Sequence, residues 1–254
     1  MQNASQCPRS RGNASRSSYA PPVLLKGGHE TEDPRLDRVP EFDERSRSFP
    51  IAAVVPEPLR SRSWPCPLVT DQGREGACVG HAWTHELAAT PIAVRDLSSA
   101  YANGLYREAQ RIDEWPGEDY SGTSVLAGAK ILAGRGYMAE YRWAFGIDDV
   151  LRAISHAGPV VLGIPWLDSM YEPRPDGMLD CSGRSIGGHA ILARGLLLRR
   201  WFIGSDPWPV VRLRNSWGSD WGLGGDCFIP VADLERLLAD RGECCVPVGR
   251  RRPF

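Results

Sequence analysis

The chain has 254 residues, 42% of them hydrophobic and 24% charged, with a formal net charge of −1. That balance suits one large globular domain or two small lobes sharing a cleft, and it offers no basic footprint for nucleic acid. No uncharged apolar run approaches the ~18 residues of a membrane helix. The N-terminal MQNASQCPRSRGNASRSS lacks an apolar signal core, so neither a membrane partner nor a secretion route is expected. Seven cysteines, at 7, 66, 78, 181, 227, 244 and 245, are then read as reduced thiols in a cytoplasmic protein.

In chain order, residues 1–33 are rich in Ser, Arg, Asn, Pro and Gly and read as a disordered tail. Residues 34–70 are punctuated by proline, with a short apolar strand expected at Ile51–Val55. Helices are expected over 78–90, closed before Pro91, over 98–112 from a Ser cap, over 123–134 and over 148–158. Short apolar runs follow at Val160–Ile164, Ala190–Leu198, Trp201–Ile203, Val210–Leu213 and Cys227–Pro230. Gly, Pro and Asp separate them, as in antiparallel strands. A surface helix is expected over 231–240, and the Arg250–Arg252 run reads as a solvated tail. Helices first and strands second make an α+β chain.

The segment that carries chemistry is Asp71-Gln72-Gly73-Arg74-Glu75-Gly76-Ala77-Cys78. A glycine-rich turn enters an apolar helix, and Cys78 falls in its first turn. There the helix dipole and unpaired N–H groups favour a thiolate, the nucleophilic form of cysteine. The Gln72 side-chain amide, with the Cys78 N–H, is placed to donate to an oxyanion beside the sulfur. His189 follows Gly187-Gly188 at the edge of an apolar strand and supplies the acid–base partner. Asn215, in Asn215-Ser216-Trp217-Gly218, has an amide oxygen suited to holding one ring nitrogen of His189, with Trp217 shielding that bond from water. His81 and His85 lie one helical turn apart, but the order HxxxHE is not the HExxH of zinc peptidases, so no metal is expected.

The Gln72, Cys78, His189, Asn215 order, with Gly76-Ala77-Cys78, His189-Ala190 and Asn215-Ser216-Trp217-Gly218, resembles the papain family of cysteine peptidases. The resemblance spans roughly residues 39–250. It implies a two-lobed α+β fold, with a helical lobe over about 70–150, an antiparallel β lobe over about 151–250 and a strap over 39–60 on the β lobe, so that 34–254 form the peptidase domain. It further implies thiol-dependent cleavage of protein or peptide substrates without a cofactor. Gly122 would pair with substrate backbone, Ala190 would line the main specificity pocket next to His189, and Trp217 would also contact substrate. His189 comes early relative to the ~130–150 residues usual after the cysteine. Glu75 stands where secreted members carry a disulfide cysteine, Val79 replaces an aromatic residue, and Gly188 replaces the Asp or Asn before the histidine. Few residues precede the mature-like start at Val39. These departures suit a divergent intracellular branch, bacterial or phage-encoded, and the protein is expected to be a monomer. They leave open a catalytically silent binding module, and a Cys–His acyltransferase or cell-wall amidase.

Overall fold

The computed structural model describes residues 23–24, 30–31, 33–41, 58–113, 121–201 and 206–253. Nearly all of the 1–33 tail, most of the 39–60 strap, the strand expected at Ile51–Val55 and the last part of the Trp201–Ile203 run lie outside the described residues. Strands β1 (Val23–Leu24) and β2 (Glu30–Thr31) pair with each other, and β3 (Arg62–Ser63) precedes the helices. The helices are α1 (Cys78–Ala88), α2 (Ser99–Ile112) and α3 (Val125–Gly134). Two of them begin as the sequence implies. The Ser98 hydroxyl accepts the Tyr101 N–H at 3.4 Å and the Ser124 hydroxyl accepts the Ala127 N–H at 3.0 Å, each satisfying an otherwise unpaired donor of the first turn.

The rest of the chain builds an antiparallel sheet. Its strands are β4 (Glu140–Trp143), β5 (Val160–Leu167), β6 (Ser185–Arg200), β7 (Trp208–Arg214), β8 (Asp226–Pro230) and β9 (Glu243–Val248), in the order β4-β9-β5-β6-β7-β8, with β3 also on β6. Two helices accompany them, α4 (Ile147–Arg152), which runs on as a π-turn through Ala157, and α5 (Val231–Ala239). The sheet is buried on both faces, and the two-residue period of a strand sorts its side chains. Val161, Ala190, Leu192 and Cys245 face the core of α1–α3 around Trp83, Leu87, Leu105, Leu126 and Leu132. Val160, Leu162, Ile191, Ala193 and Cys244 face the opposite core with Val150, Leu234 and Leu237. The neighbouring Cys244 and Cys245 therefore point into different cores. The α+β architecture with a helical layer and an antiparallel sheet is as expected.

Buried charge is concentrated at Asp226. Arg194 and Arg214 donate to its Oδ1 at 3.0 and 2.7 Å, Arg212 donates to Oδ2 at 2.6 Å, and Arg194 reaches Oδ2 as well. Burial opposes ionisation, but the arginines hold this carboxyl below its ordinary range. Strand β6 ends at Arg200, with Trp201 exposed beyond it. One expectation fails. Arg250 is no solvated tail: its Nε donates to the buried Glu86 of α1 at 2.6 Å and its Nη1 to the Tyr137 carbonyl at 2.8 Å.

Candidate active site

Cys78 is the first residue of α1, and no side chain caps that end. The N–H groups of Val79 and of Ala190, on β6, are directed at its sulfur. The thiol therefore lies beside the residue that follows His189. His189 pairs with Ile164 across the sheet and is fully buried. Its Nε2 lies 2.8 Å from Asn215 Oδ1. An amide oxygen only accepts, so Nε2 carries the proton and Nδ1 is left for the cleft. Trp166 and Trp217 pack on the imidazole with ring centroids 4.7 and 5.3 Å away, which fixes its plane and keeps water from the Asn215 bond. Gln72 is held through its Oε1, which accepts the Ser216 hydroxyl at 2.6 Å. Its Nε2 donates to the Glu75 carbonyl at 2.8 Å and lies 3.5 Å from the Arg35 carbonyl. The structure thus brings Gln72, Cys78, His189, Asn215 and Trp217 to one place between the helices and the sheet, with Ala190 beneath them and Gly122 across the cleft.

That cleft is filled by the chain itself. Residues 33–41 run through it, first as a turn closed by the Leu36 N–H on the Asp33 carbonyl at 3.0 Å and then as an extended stretch. The Arg38 N–H donates to the Gly188 carbonyl at 3.1 Å, and the Gly188 N–H donates to the Leu36 carbonyl at 3.2 Å. On the other wall the Val39 N–H donates to the Thr123 carbonyl at 3.1 Å. The segment therefore bridges β6 and the residues that lead into α3. Its side chains bind as well. The Asp37 carboxylate accepts the Ser121 hydroxyl, Asp33 accepts the Tyr171 hydroxyl at 2.8 Å, and Glu41 accepts the Ser124 hydroxyl. The Arg35 guanidinium lies 4.3 Å over the Trp217 ring. The walls are cut to fit. A Cβ at Gly122 would lie 2.1 Å from the Asp37 carbonyl oxygen, and one at Gly188 would lie 2.4 Å from the Arg38 carbonyl oxygen. The missing side chain at Gly188 is explained by this close approach.

The electrostatics of the filled site suppress charge. The Cys78 thiol donates to Asp37 Oδ1 at 3.8 Å. Burial, and then the nearby Asp37 charge, push the thiol far above its ordinary range. Burial also pulls the His189 pKa down to about 4 and pushes the Asp37 carboxyl up to about 7. With the segment in place the site holds a neutral thiol and a neutral imidazole, whose Nδ1 faces the Arg35 carbonyl at 3.4 Å. His81 and His85 take no part. Both hydrogen-bond the Thr70 hydroxyl, at 2.7 and 2.9 Å, and burial keeps both neutral.

Solved structures share this arrangement of elements. Xylellain, a cysteine protease from Xylella fastidiosa, superposes with a TM-score of 0.60 at 18% identity, over 84% of this chain and 96% of that one. The bromelain protease from Ananas comosus gives 0.55 at 15% identity, over 76% and 100%. Digestive procathepsin L 3 of Tenebrio molitor gives 0.54 at 18% identity, over 83% and 73%. The chain has the papain-like fold. No protein-family model and no curated protein matches the sequence.

Within this papain-like frame, three features escaped the sequence. Trp166, in a continuous apolar run, gives no sign that it packs on His189. Ser216 reads as a turn residue rather than as the anchor of Gln72. The occupation of the cleft by residues 33–41 leaves no periodic pattern. Among the described residues no helix is long and apolar enough to cross a membrane, and no cluster of His, Cys, Asp and Glu is arranged to hold a metal.

Proposed function

We propose that this protein is a thiol-dependent endopeptidase that works through an acyl-enzyme. The observation that carries the reading is the 2.8 Å contact between His189 Nε2 and Asn215 Oδ1, beside a cysteine at a helix start. In the open site the Cys78 thiolate attacks the peptide carbonyl carbon, and the developing oxyanion takes hydrogen bonds from the Cys78 N–H and the Gln72 amide. His189, protonated on Nδ1, gives that proton to the leaving amine. It then takes a proton from water, which attacks the thioester and frees Cys78. Asn215 keeps the ring in the tautomer this exchange requires. Thr123 and Gly188 offer backbone groups to an extended peptide, as they do to residues 33–41, and Gly122 leaves room for its main chain.

Residues 33–41 act as an inhibitor rather than a substrate. The group against the sulfur is the Asp37 side-chain carboxyl, which has no leaving amine and which, when ionised, disfavours a thiolate. Peptide entry requires this segment to lift away. The full burial of Cys78 also favours a second reading, a silent binding module. Digestion of casein by the full chain, compared with Cys78→Ala, decides between them. The expected result is hydrolysis, and iodoacetamide labelling mapped to Cys78, in the wild type, and no hydrolysis in a Cys78→Ala protein of unchanged melting temperature. Hydrolysis that survives in folded Cys78→Ala overturns the assignment. Cleavage of peptidoglycan but not casein would point to an amidase.

A further inference from the structure

The two donors assigned to the oxyanion belong to different elements. The Cys78 N–H opens α1, whereas Gln72 lies on the stretch 70–72, which pairs with 216–218. The Gly218 N–H donates to the Thr70 carbonyl at 3.1 Å and the Gln72 N–H to the Ser216 carbonyl at 2.9 Å, on either side of an antiparallel bridge between Asp71 and Trp217. These bonds tie Gln72 to the side of the site that carries Asn215. Besides the turn from Gln72 to Glu75, a buried row of side chains ties it to α1. His81, one turn after Cys78, has its Nε2 2.8 Å from Asn103 Oδ1 of α2 and its Nδ1 2.7 Å from Thr70 Oγ1. His85, one turn further on, has its Nε2 2.9 Å from the same hydroxyl. The Asn103 oxygen only accepts, so His81 Nε2 carries the proton and His81 Nδ1 accepts. The Thr70 hydroxyl therefore donates to His81, and its oxygen accepts from His85 Nε2. His85 Nδ1 is then a bare lone pair, and it has no hydrogen-bond partner. The row closes only with both rings neutral, and burial keeps them so.

Thr70, His81 and Asn103 repeat the hydroxyl–imidazole–amide order of a hydrolytic triad, yet they do not make a second active site. Thr70 and His81 are buried, at 3% and 0% exposure, and the hydroxyl oxygen is already engaged by His85. No substrate carbonyl can reach it. A hydroxyl held from both sides is instead a fixed point.

We propose that Thr70, its hydroxyl held between His81 and His85, is a positioning residue for Gln72 and sets the place of the Gln72 amide relative to the Cys78 N–H. The inference rests on the peptidase reading and adds a residue to the same site. Neither histidine touches the reacting atoms. They fix Thr70, two residues before Gln72, to the helix that Cys78 begins. Donors to an oxyanion act only when aimed at the spot where charge develops, so a small drift weakens them without loosening the bound peptide. Without the hydroxyl, Gln72 would follow the 216–218 side of the site, and Cys78 would follow α1.

The test measures hydrolysis of a fluorogenic peptide by the full chain. Gln72→Ala should lower kcat by about 100-fold or more, the scale of a lost oxyanion donor. Thr70→Val swaps the hydroxyl for a methyl group and should lower kcat by about tenfold, a donor displaced rather than removed, with KM almost unchanged. Thr70→Ser keeps the hydroxyl and should recover most of that loss. Combined with Gln72→Ala, Thr70→Val should cost nothing further, because it acts through Gln72. If Thr70→Val fails to fold, His81→Phe cuts the same link from the helix side and is read in the same cycle. On the unaltered chain, the ring nitrogen NMR shifts of His81 should show a neutral ring with its proton on Nε2, a readout that needs neither a variant nor activity. Losses that multiply in the double variant, an undiminished kcat in Thr70→Val, or a His81 proton on Nδ1 overturns the positioning role and leaves the peptidase standing. A wild type that hydrolyses no peptide removes the peptidase reading and this one with it.

Discussion

Two arginines near opposite ends of the chain each reach a buried glutamate, and they are held differently. Arg250 sits 2.6 Å from Glu86 and gives its other nitrogens to the carbonyls of Tyr137 at 2.8 Å and Ile92 at 3.4 Å. All three of its nitrogens have acceptors. Arg38 sits 3.2 Å from Glu243, and its Nε has no acceptor. Buried guanidinium groups are stable when their donors are satisfied and costly when they are not. The C-terminal clamp therefore reads as architecture that ties the last residues to α1. The N-terminal clamp reads as a contact that exchanges, in the place where a peptide must enter.

The largest effect should separate these two clamps by stability. Arg250→Ala leaves Glu86 charged, buried and unpaired, and breaking a buried pair in this way costs about 3–5 kcal/mol. For a chain of this size that lowers the melting temperature by roughly 6–20 °C. Arg38→Ala should cost much less, because residues 33–41 can lift and let water reach Glu243. Thermal unfolding of the two variants side by side measures the contrast. Equal losses would mean that both clamps are permanent and that the cleft does not open.

The same contrast shows what a sequence can and cannot carry. Cys78, His189 and Asn215 were legible because each lies where a glycine-rich or polar turn meets an apolar element, a local signal. The caps Ser98 and Ser124 are local as well. Residues 33–41 carry no such signal. The extended shape from Leu36 onward comes from bonds to Gly188 and Thr123, far along the chain, so it exists only once helices and sheet are assembled. Strand β9 was missed for a related reason. ECCVPV begins with an acid and contains a proline, and Glu243 is accommodated only because Gly163 stands opposite. Arg250 looked like one of three solvated charges because its partner, Glu86, is 164 residues away.

A smaller effect concerns Asp37 and turns on pH. The docked carboxyl is raised to about 7 from an ordinary 3.8, so the docked segment holds a proton that the released segment loses. Its contribution to docking is therefore undiminished below about pH 4, weakens as pH rises, and is spent above about 7. His189 is shifted the other way and partly masks this trend. Asp37→Asn removes the aspartate and leaves the histidine. Hydrogen exchange at the Arg38 and Val39 amides, which are bonded to Gly188 and Thr123, reports docking without reference to catalysis. Protection in the wild type should fall relative to Asp37→Asn between about pH 4 and 7. Parallel profiles would show that Asp37 does not sense pH in the cleft.

The smallest expected effect is that of reductant, and it bears on whether the N-terminal segment is free to leave. The six described cysteines, Cys66, Cys78, Cys181, Cys227, Cys244 and Cys245, are all buried and unbridged. Burial raises the pKa of each thiol, which makes them poor partners for exchange. Cys244 and Cys245 face opposite cores and cannot join each other without tearing β9 from the sheet. Neither clamp is thus backed by a covalent link among the described residues. Removing a native bridge from a small domain typically costs about 2–5 kcal/mol. Millimolar dithiothreitol should therefore leave the melting temperature almost unchanged, while raising activity by keeping Cys78 reduced. A drop of several degrees on reduction would reveal a bridge, and Cys7 is the one cysteine on the N-terminal side of residues 33–41. Such a bridge would tether the segment to the body, and the N-terminal clamp would then be a fixed closure rather than an exchanging contact.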